Sequence, residues 1–168
     1  MVGAGLAIAG ALVRLRVLAV GNKMPSWVEQ GVAAYARRMP KELSVDWLEV
    51  PMAKRGTGSA DSYRRQEAAS IGSKLHRDED LIVLDVQGLE ISTEKIARRF
   101  ADWQMRGRPV CVVIGGPDGV HRSLLERASE QWSFGRITLP HPLVRVILAE
   151  QLYRAWSLQS GHPYHRGN

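Results

Sequence analysis

The run Val110-Cys111-Val112-Val113-Ile114, followed at once by Gly115-Gly116-Pro117-Asp118-Gly119, is the stretch of this chain that decides its fold. Five consecutive apolar residues predict a strand that is buried on both faces. A second run of this kind, Leu81-Ile82-Val83-Leu84 between Asp80 and Asp85, predicts another. Strands buried on both faces occur in parallel sheets that helices cover. The two runs therefore predict an α/β domain.

The rest of the pattern alternates strands and helices. Further strands are expected over residues 15–20 and 43–50, and a last short strand is expected to end at Leu139. Helices are expected from Pro25, with Ser26 and Glu29 at capping-box spacing, to just before Pro40, and over residues 61–76, 92–105, 123–129 and 143–159. This order predicts a mostly parallel five-stranded sheet with helices on both faces. Ligands bind such sheets at the carboxyl ends of strands.

Length and charge limit the class of protein. A chain of 168 residues suits one compact domain, and a net charge of +6 favours RNA or DNA as a partner, with an anionic membrane second and ordinary solubility charge as the alternative. Residues 1–13 are apolar and rich in Gly and Ala, and we interpret them as an N-terminal extension to a single domain of residues 14–168. This stretch is too short for a transmembrane helix.

The single cysteine, Cys111, lies in the apolar run and cannot form an internal disulfide. It predicts a buried thiol in a reducing, cytoplasmic compartment. No pair of Cys or His residues has metal-ligand spacing, so no metal is expected.

Two stretches after predicted strands are candidate ligand loops. Gly115-Gly116 permits close backbone approach to a ligand, or it simply makes a tight turn. Neither G-x-G-x-x-G nor a P-loop Gly-Lys-Ser/Thr is present, which argues against hydride and phosphoryl transfer. Thr138-Leu139-Pro140-His141-Pro142 predicts a rigid rim for an apolar or heterocyclic group, or a rigid start to the last helix. His141 is a candidate base, helix cap or solvated ring.

The last helix and the residues after it combine arginine with aromatic side chains. Arg154 stands four residues after Glu150, which predicts an ion pair on the helix surface. The tail then adds His162, Tyr164, His165 and Arg166, residue types that suit RNA phosphates and unstacked bases. A second basic region, residues 54–77, is either a solvated helix face or a phosphate-binding surface; its cations are Lys54, Arg55, Arg64, Arg65, Lys74 and Arg77.

Several motifs together resemble the RlmH-type ribosomal RNA methyltransferases, a minimal branch of the SPOUT class with its α/β knot. The resemblance spans residues 14–166 and is carried by these stretches: Leu18-Ala-Val-Gly-Asn-Lys-Met-Pro25, Lys54-Arg55-Gly56, Leu84-Asp85 with Gly88, Ile114-Gly-Gly-Pro-Asp-Gly119, Leu139-Pro-His-Pro-Leu-Val-Arg145, Glu150 with Leu152-Tyr-Arg-Ala-Trp156, and His162-Pro-Tyr-His-Arg166.

The resemblance implies a C-terminal trefoil knot, which pattern reasoning alone would not give, because knots are very rare. It also implies a cytoplasmic homodimer that uses S-adenosylmethionine to methylate N3 of a pseudouridine in large-subunit (23S) rRNA on the assembled ribosome. The cofactor would lie against Leu84, Gly115, Gly116, Gly135, Arg136, Ile137, Thr138, Leu139 and Pro140.

A mechanism follows as a hypothesis. N3 of the base must lose a proton, so His141 or His165 is expected to accept it, since histidine titrates near neutral pH. Arg154 is expected to hold a phosphate or stabilise charge on the uracil oxygens, and Tyr164 to stack on the base or hydrogen-bond to it. The tail of one subunit would complete the pocket of its twin. The alternative is a ribosome-associated RNA-binding protein without catalysis.

Overall fold

The computed structural model describes residues 12–166 and contains one five-stranded sheet. Its strand order is β2-β1-β4-β3-β5, and every neighbouring pair is parallel. The strands are β1 (Val13–Val20), β2 (Leu43–Val50), β3 (Asp80–Glu90), β4 (Val110–Ile114) and β5 (Glu130–Ser133). The predicted α/β fold is confirmed, and the sheet is wholly rather than mostly parallel. Most of the predicted N-terminal extension, residues 1–11, lies outside the described residues.

Within residues 12–166, five α-helices connect and cover the strands: α1 (Ser26–Ala36), α2 (Ala60–Gly72), α3 (Thr93–Arg106), α4 (Arg122–Arg127) and α5 (His141–Ser160). A short 3-10 helix, Pro163–Arg166, follows α5. The predicted capping box at Ser26 is wrong: Pro25 is the N-cap, with a φ of −53°, and no side chain caps the helix. Because proline has a fixed φ and no amide hydrogen, it starts the helix one residue earlier than the serine pattern suggests.

The core has two layers, one on each face of the sheet. Alternate residues of β1 and β4, such as Val17 and Val112, pack with Phe100 of α3 and Leu152 of α5. Their neighbours Leu18 and Val113 face the other way and pack with α2 and α4. All five residues of β4 are buried, as expected of a central strand covered on both faces.

Two predicted strand ends differ from the structure. β3 does not stop at Asp85 but continues to Glu90, past an irregularity between Leu84 and Leu89, both of which pair with Trp132. The strand predicted to end at Leu139 is wrong, because β5 ends at Ser133. Gly135 has a φ of +119°, which breaks the extended backbone, and residues 134–140 form an irregular segment that leads to α5.

Candidate active site

A crevice of about 730 Å³ opens at the carboxyl ends of β3, β4 and β5. Three segments form it: residues 84–86 of β3, residues 114–120 and residues 132–141, with Val144 of α5 closing one side. The volume falls within the range of small-molecule pockets. This is the edge of the sheet at which the strand pattern predicted a ligand.

The loop after β4 makes a tight turn in which Gly119 N donates to Gly116 O at 3.0 Å. A Cβ on Gly115 would lie 2.6 Å from Cγ2 of Val120, and one on Gly116 would lie 3.1 Å from a carboxylate oxygen of Glu67. The turn itself therefore requires the glycines, as the purely structural interpretation of this loop predicts. The same turn also lines the crevice, so both interpretations of the loop apply.

The segment before α5 lines the opposite side of the crevice. Of the nine predicted cofactor residues, eight line it: Leu84, Gly115, Gly116, Gly135, Ile137, Thr138, Leu139 and Pro140. Arg136 is exposed and lies outside the lining. Trp132 also lines the crevice, and its buried Nε1 has no hydrogen-bond partner among the described residues.

His141 is the only predicted catalytic residue that lines this crevice in the described chain. It is the first residue of α5 and is half-buried, and the N-cap is Pro140, so His141 does not act as the cap. Burial lowers the pKa of His141, the charge of Arg145 lowers it further, and Glu67 opposes the shift. The imidazole is therefore neutral at neutral pH, which a proton acceptor requires.

The other predicted catalytic residues meet in a second place, which we call the tail cluster: Glu150, Tyr153, Arg154, Tyr164 and His165. Arg154 donates from Nε to Oε1 of Glu150 at 2.7 Å, which confirms the predicted ion pair. Its guanidinium lies 5.1 Å from the centre of the Tyr164 ring, and that ring packs edge-on against Tyr153 at 4.6 Å. The 3-10 helix is thereby held against α5.

Electrostatics in the tail cluster follow from these contacts. The hydrogen bond to Glu150 raises the pKa of Arg154, so the guanidinium stays charged. Burial, and then a hydrogen bond with Tyr35 of α1, raises the pKa of the Tyr164 phenol, which stays protonated and able to donate. Nδ1 of His165 is buried without a hydrogen-bond partner among residues 12–166.

Within one chain the tail cluster and the crevice are far apart. Arg154 follows His141 by 13 positions of α5, which corresponds to about 20 Å along a helix. The structure therefore brings Arg154 and Tyr164 into contact, with His165 next to Tyr164 in the 3-10 helix, and separates these residues from His141.

A family model described as predicted SPOUT methyltransferase matches residues 13–165. The chain belongs to the SPOUT methyltransferase family. The match covers nearly all of the described residues, including both the crevice and the tail cluster.

Curated relatives of this SPOUT methyltransferase match it over most of their own length. A protein of Hydrogenovibrio crunogenus is 46% identical over 153 residues, covering 90% of this chain and 98% of that protein. A protein of Chromohalobacter salexigens is 48% identical over 155 residues, covering 91% of this chain and 99% of that protein. Both relatives are named ribosomal RNA large subunit methyltransferase H.

Solved structures resemble the SPOUT methyltransferase in fold alone. A methylase family protein of Haemophilus influenzae Rd KW20 has a TM-score of 0.52 at 11% identity, over 90% of this chain and 70% of that one. One from Neisseria gonorrhoeae has a TM-score of 0.51 at 10% identity, over 88% of this chain and 84% of that one.

Within residues 12–166, no helix is long and apolar enough to cross a bilayer, and no three His, Cys, Asp or Glu side chains are grouped to hold a metal ion.

Sequence reasoning on this SPOUT methyltransferase missed Arg145 and Glu67 as site residues. Arg145 is buried; it donates to Gly21 O at 2.7 Å and to Glu49 at 3.1 Å. Glu67, also buried, accepts from Ala53 N and from Arg55, each at 3.1 Å. These contacts join segments far apart in sequence, so no local pattern marked them. The only available signal was a charged residue at a position that the helical period places in the core.

Proposed function

We propose that this SPOUT methyltransferase binds S-adenosylmethionine in the crevice and methylates N3 of a pseudouridine in large-subunit (23S) ribosomal RNA. The assembled ribosome in the cytoplasm is the proposed substrate. The observation that carries the proposal is that the crevice is lined by eight of the nine residues that the family resemblance assigns to the cofactor. The names of relatives at 46% and 48% identity support rRNA as the substrate.

The crevice fits this cofactor in size and chemistry. Its volume of about 730 Å³ is sufficient for a nucleoside with an amino-acid side arm. Apolar side chains such as Leu84, Ile137 and Leu139 offer contacts to an adenine ring, and Asp85 offers a carboxylate to a cationic group. The backbone groups of the three segments that form the crevice supply the remaining hydrogen bonds.

The chain's own residues then deprotonate and orient the base. S-adenosylmethionine, when bound, supplies an electrophilic methyl group on a sulfonium, so no metal is needed to activate it. His141 lines the crevice with a lowered pKa and is the proposed acceptor of the N3 proton. His165, whose unpaired Nδ1 is buried in the tail cluster, is the alternative acceptor.

The tail cluster is proposed to bind the target nucleotide. Glu150 engages Nε and Nη2 of Arg154, which leaves Nη1 without a partner among the described residues. That donor is suited to a phosphate or to negative charge that develops on a uracil oxygen. The Tyr164 hydroxyl remains protonated and its ring offers a stacking surface.

A homodimer would bring the two sets of residues together. Because about 20 Å of helix separates His141 from Arg154 in one chain, the tail cluster of one subunit is proposed to complete the crevice of the other. The trefoil knot stays a prediction, and the three segments that form the crevice are the ones that it would involve.

The proposal is tested by calorimetry with S-adenosylmethionine and S-adenosylhomocysteine, followed by transfer of labelled methyl to ribosomes. Binding and transfer are expected, with the label at N3 of one pseudouridine. Ribosome binding without cofactor binding, both in solution and with ribosomes present, would instead indicate the non-catalytic RNA-binding protein. For the composite site, a subunit lacking residues 162–168 is mixed with a crevice variant, and recovered activity in the mixture is expected only if sites form across the dimer.

A further inference from the structure

A smaller pocket lies at the end of the sheet opposite the crevice. It has a volume of about 260 Å³ and is lined by the segments that lead into β3, β4 and β5, including Arg77, Arg108 and Arg127. We call it the basal pocket. Since β4 has five residues, the basal pocket and the crevice are about 16 Å or more apart.

The carboxylates of the basal pocket already have partners. Glu79, whose side chain is 1% exposed, accepts from Nη1 of Arg16 at 2.9 Å and from His76 N at 2.8 Å. Asp80 has Arg106 and Arg108 at 3.5 Å each. Neither carboxylate is left to neutralise a further cation.

Two arginines of the basal pocket remain uncompensated. Arg77 and Arg127 have no hydrogen bond or ion pair to any residue in the range 12–166. Lys74 and Asp78, which flank the pocket in sequence, carry opposite charges and leave this excess unchanged. The pocket is therefore a concave surface with at least two free guanidinium groups.

The basic side chains of residues 54–77 differ in their ion pairing between the end near the crevice and the end near the basal pocket. This difference decides which of them are free to bind a phosphate. At the end near the crevice, the arginines are paired with acids: Arg55 with Glu67 and Asp118, and Arg64 and Arg65 with Asp61. At the basal end, Arg77 has no such partner among the described residues. The sequence shows one basic stretch, whereas the structure divides it into a part whose arginines are paired with acids and a part in which Arg77 has no acidic partner among the described residues.

We propose that the basal pocket binds a backbone phosphate of the RNA substrate through Arg77 and Arg127. The inference rests on the proposed function for the identity of that RNA. Guanidinium groups are suited to phosphate oxygens in paired geometry, and phosphate contacts position a nucleic acid without reading its sequence. A membrane surface fits less well, because the site is concave and lies on no basic amphipathic helix.

The test compares the double variant Arg77→Gln/Arg127→Gln with Arg122→Gln. Arg122 is on the same helix as Arg127, is 81% exposed and already pairs with Glu126. Binding of the full-length protein to purified ribosomes is measured at several salt concentrations. Loss of one phosphate contact is expected to reduce the slope of log K against log salt by about 0.7 to 0.9 and to weaken binding at low salt by tenfold or more. Arg122→Gln should match the wild type.

Cofactor affinity and methyl transfer distinguish a failure of the proposed function from a failure of the basal-pocket proposal. Affinity for S-adenosylmethionine, measured by calorimetry, should be unchanged in the double variant and also reports that it is folded. A wild type that binds ribosomes but does not bind S-adenosylmethionine and transfers no methyl group to the ribosomes would overturn the proposed function, while the salt slope would still test the basal pocket.

The basal-pocket proposal fails if the double variant keeps the salt slope and affinity of Arg122→Gln, or if the wild type does not bind ribosomes. It also fails if the double variant loses binding to vesicles of phosphatidylglycerol and phosphatidylcholine but keeps its binding to ribosomes.

Discussion

Arg145 lies one helical turn after His141 on α5, and its buried charge lowers the pKa of the imidazole. The guanidinium is fixed by Gly21 O at 2.7 Å and by Glu49 at 3.1 Å. These contacts connect the end of β1, the end of β2 and the start of α5 with the protonation state of His141, the predicted base that lines the crevice.

Replacing Arg145 with Met is expected to raise the pKa of His141, because a nearby positive charge is removed. A base must be neutral to act, so the acid limb of the kcat/KM profile for methyl transfer should move to higher pH. Arg145→Lys, which keeps the charge, should move it much less. An unchanged acid limb in Arg145→Met would indicate that His141 is not the base.

The same shift predicts how stability depends on pH. The pKa of His141 is lower in the folded than in the unfolded chain, so the unfolded chain binds more protons between the two values. The contribution is fully present above about pH 6.5, the ordinary histidine value, and is lost as pH falls through the lowered value. His141→Asn should flatten the free energy of unfolding in this range in urea titrations, whereas His76→Asn, at an exposed position, serves as the control.

Gly135→Ala is expected to destabilise the protein by about 1 to 2 kcal/mol, through strain alone. The φ of Gly135 is +119°, yet a Cβ there would meet no atom of the described residues within 4 Å. Gly56 has equally free space where a Cβ would stand, without a positive φ, and Gly56→Ala should be neutral or stabilising by up to about 1 kcal/mol. Thermal unfolding compares the two, and equal effects would exclude backbone strain as the cause.

Glu67→Gln should destabilise the chain by about 1 to 3 kcal/mol, because Arg55 and the amide of Ala53 lose a charged, buried acceptor. Affinity for S-adenosylmethionine should also fall, since the carboxylate lies beside the turn at Gly116. The matched change Asp61→Asn, at a side chain 52% exposed, is expected to have an effect below about 0.5 kcal/mol. Normal stability in Glu67→Gln would show that the buried charge is dispensable.

Arg154→Ala is expected to reduce methyl transfer by about a hundredfold or more, since it removes a donor for developing charge. Cofactor affinity should stay near normal, because Arg154 does not line the crevice. Arg65→Ala, which alters an exposed ion pair, is the control in labelled-methyl assays. Unchanged turnover in Arg154→Ala would remove this residue from the mechanism.

Cys111 should not react with thiol reagents at pH 8 in the folded protein. It is fully buried, and burial raises its pKa to about 12. Titration of thiols with a chromogenic disulfide is expected to detect the group only in denaturant. Fast reaction of the native protein would show that the strand opens readily.

The sequence by itself determined the layered α/β architecture and the position of the crevice. Continuous apolar runs at residues 81–84 and 110–114 favour the middle of a covered parallel sheet, and Gly115 marks where β4 ends. The Glu150–Arg154 ion pair was also predictable, because residues four apart on a helix are neighbours and this spacing can be read from the sequence alone.

Only the tertiary structure decided which residues share a site. The acids that neutralise Arg55 and the burial that lowers the pKa of His141 come from groups that the fold places around them, and the basic region at residues 54–77 is continuous in sequence although its two ends face different neighbours. Coulomb interactions act through space and depend on burial, so the free charge at Arg77 appears only once the helices are placed against the sheet.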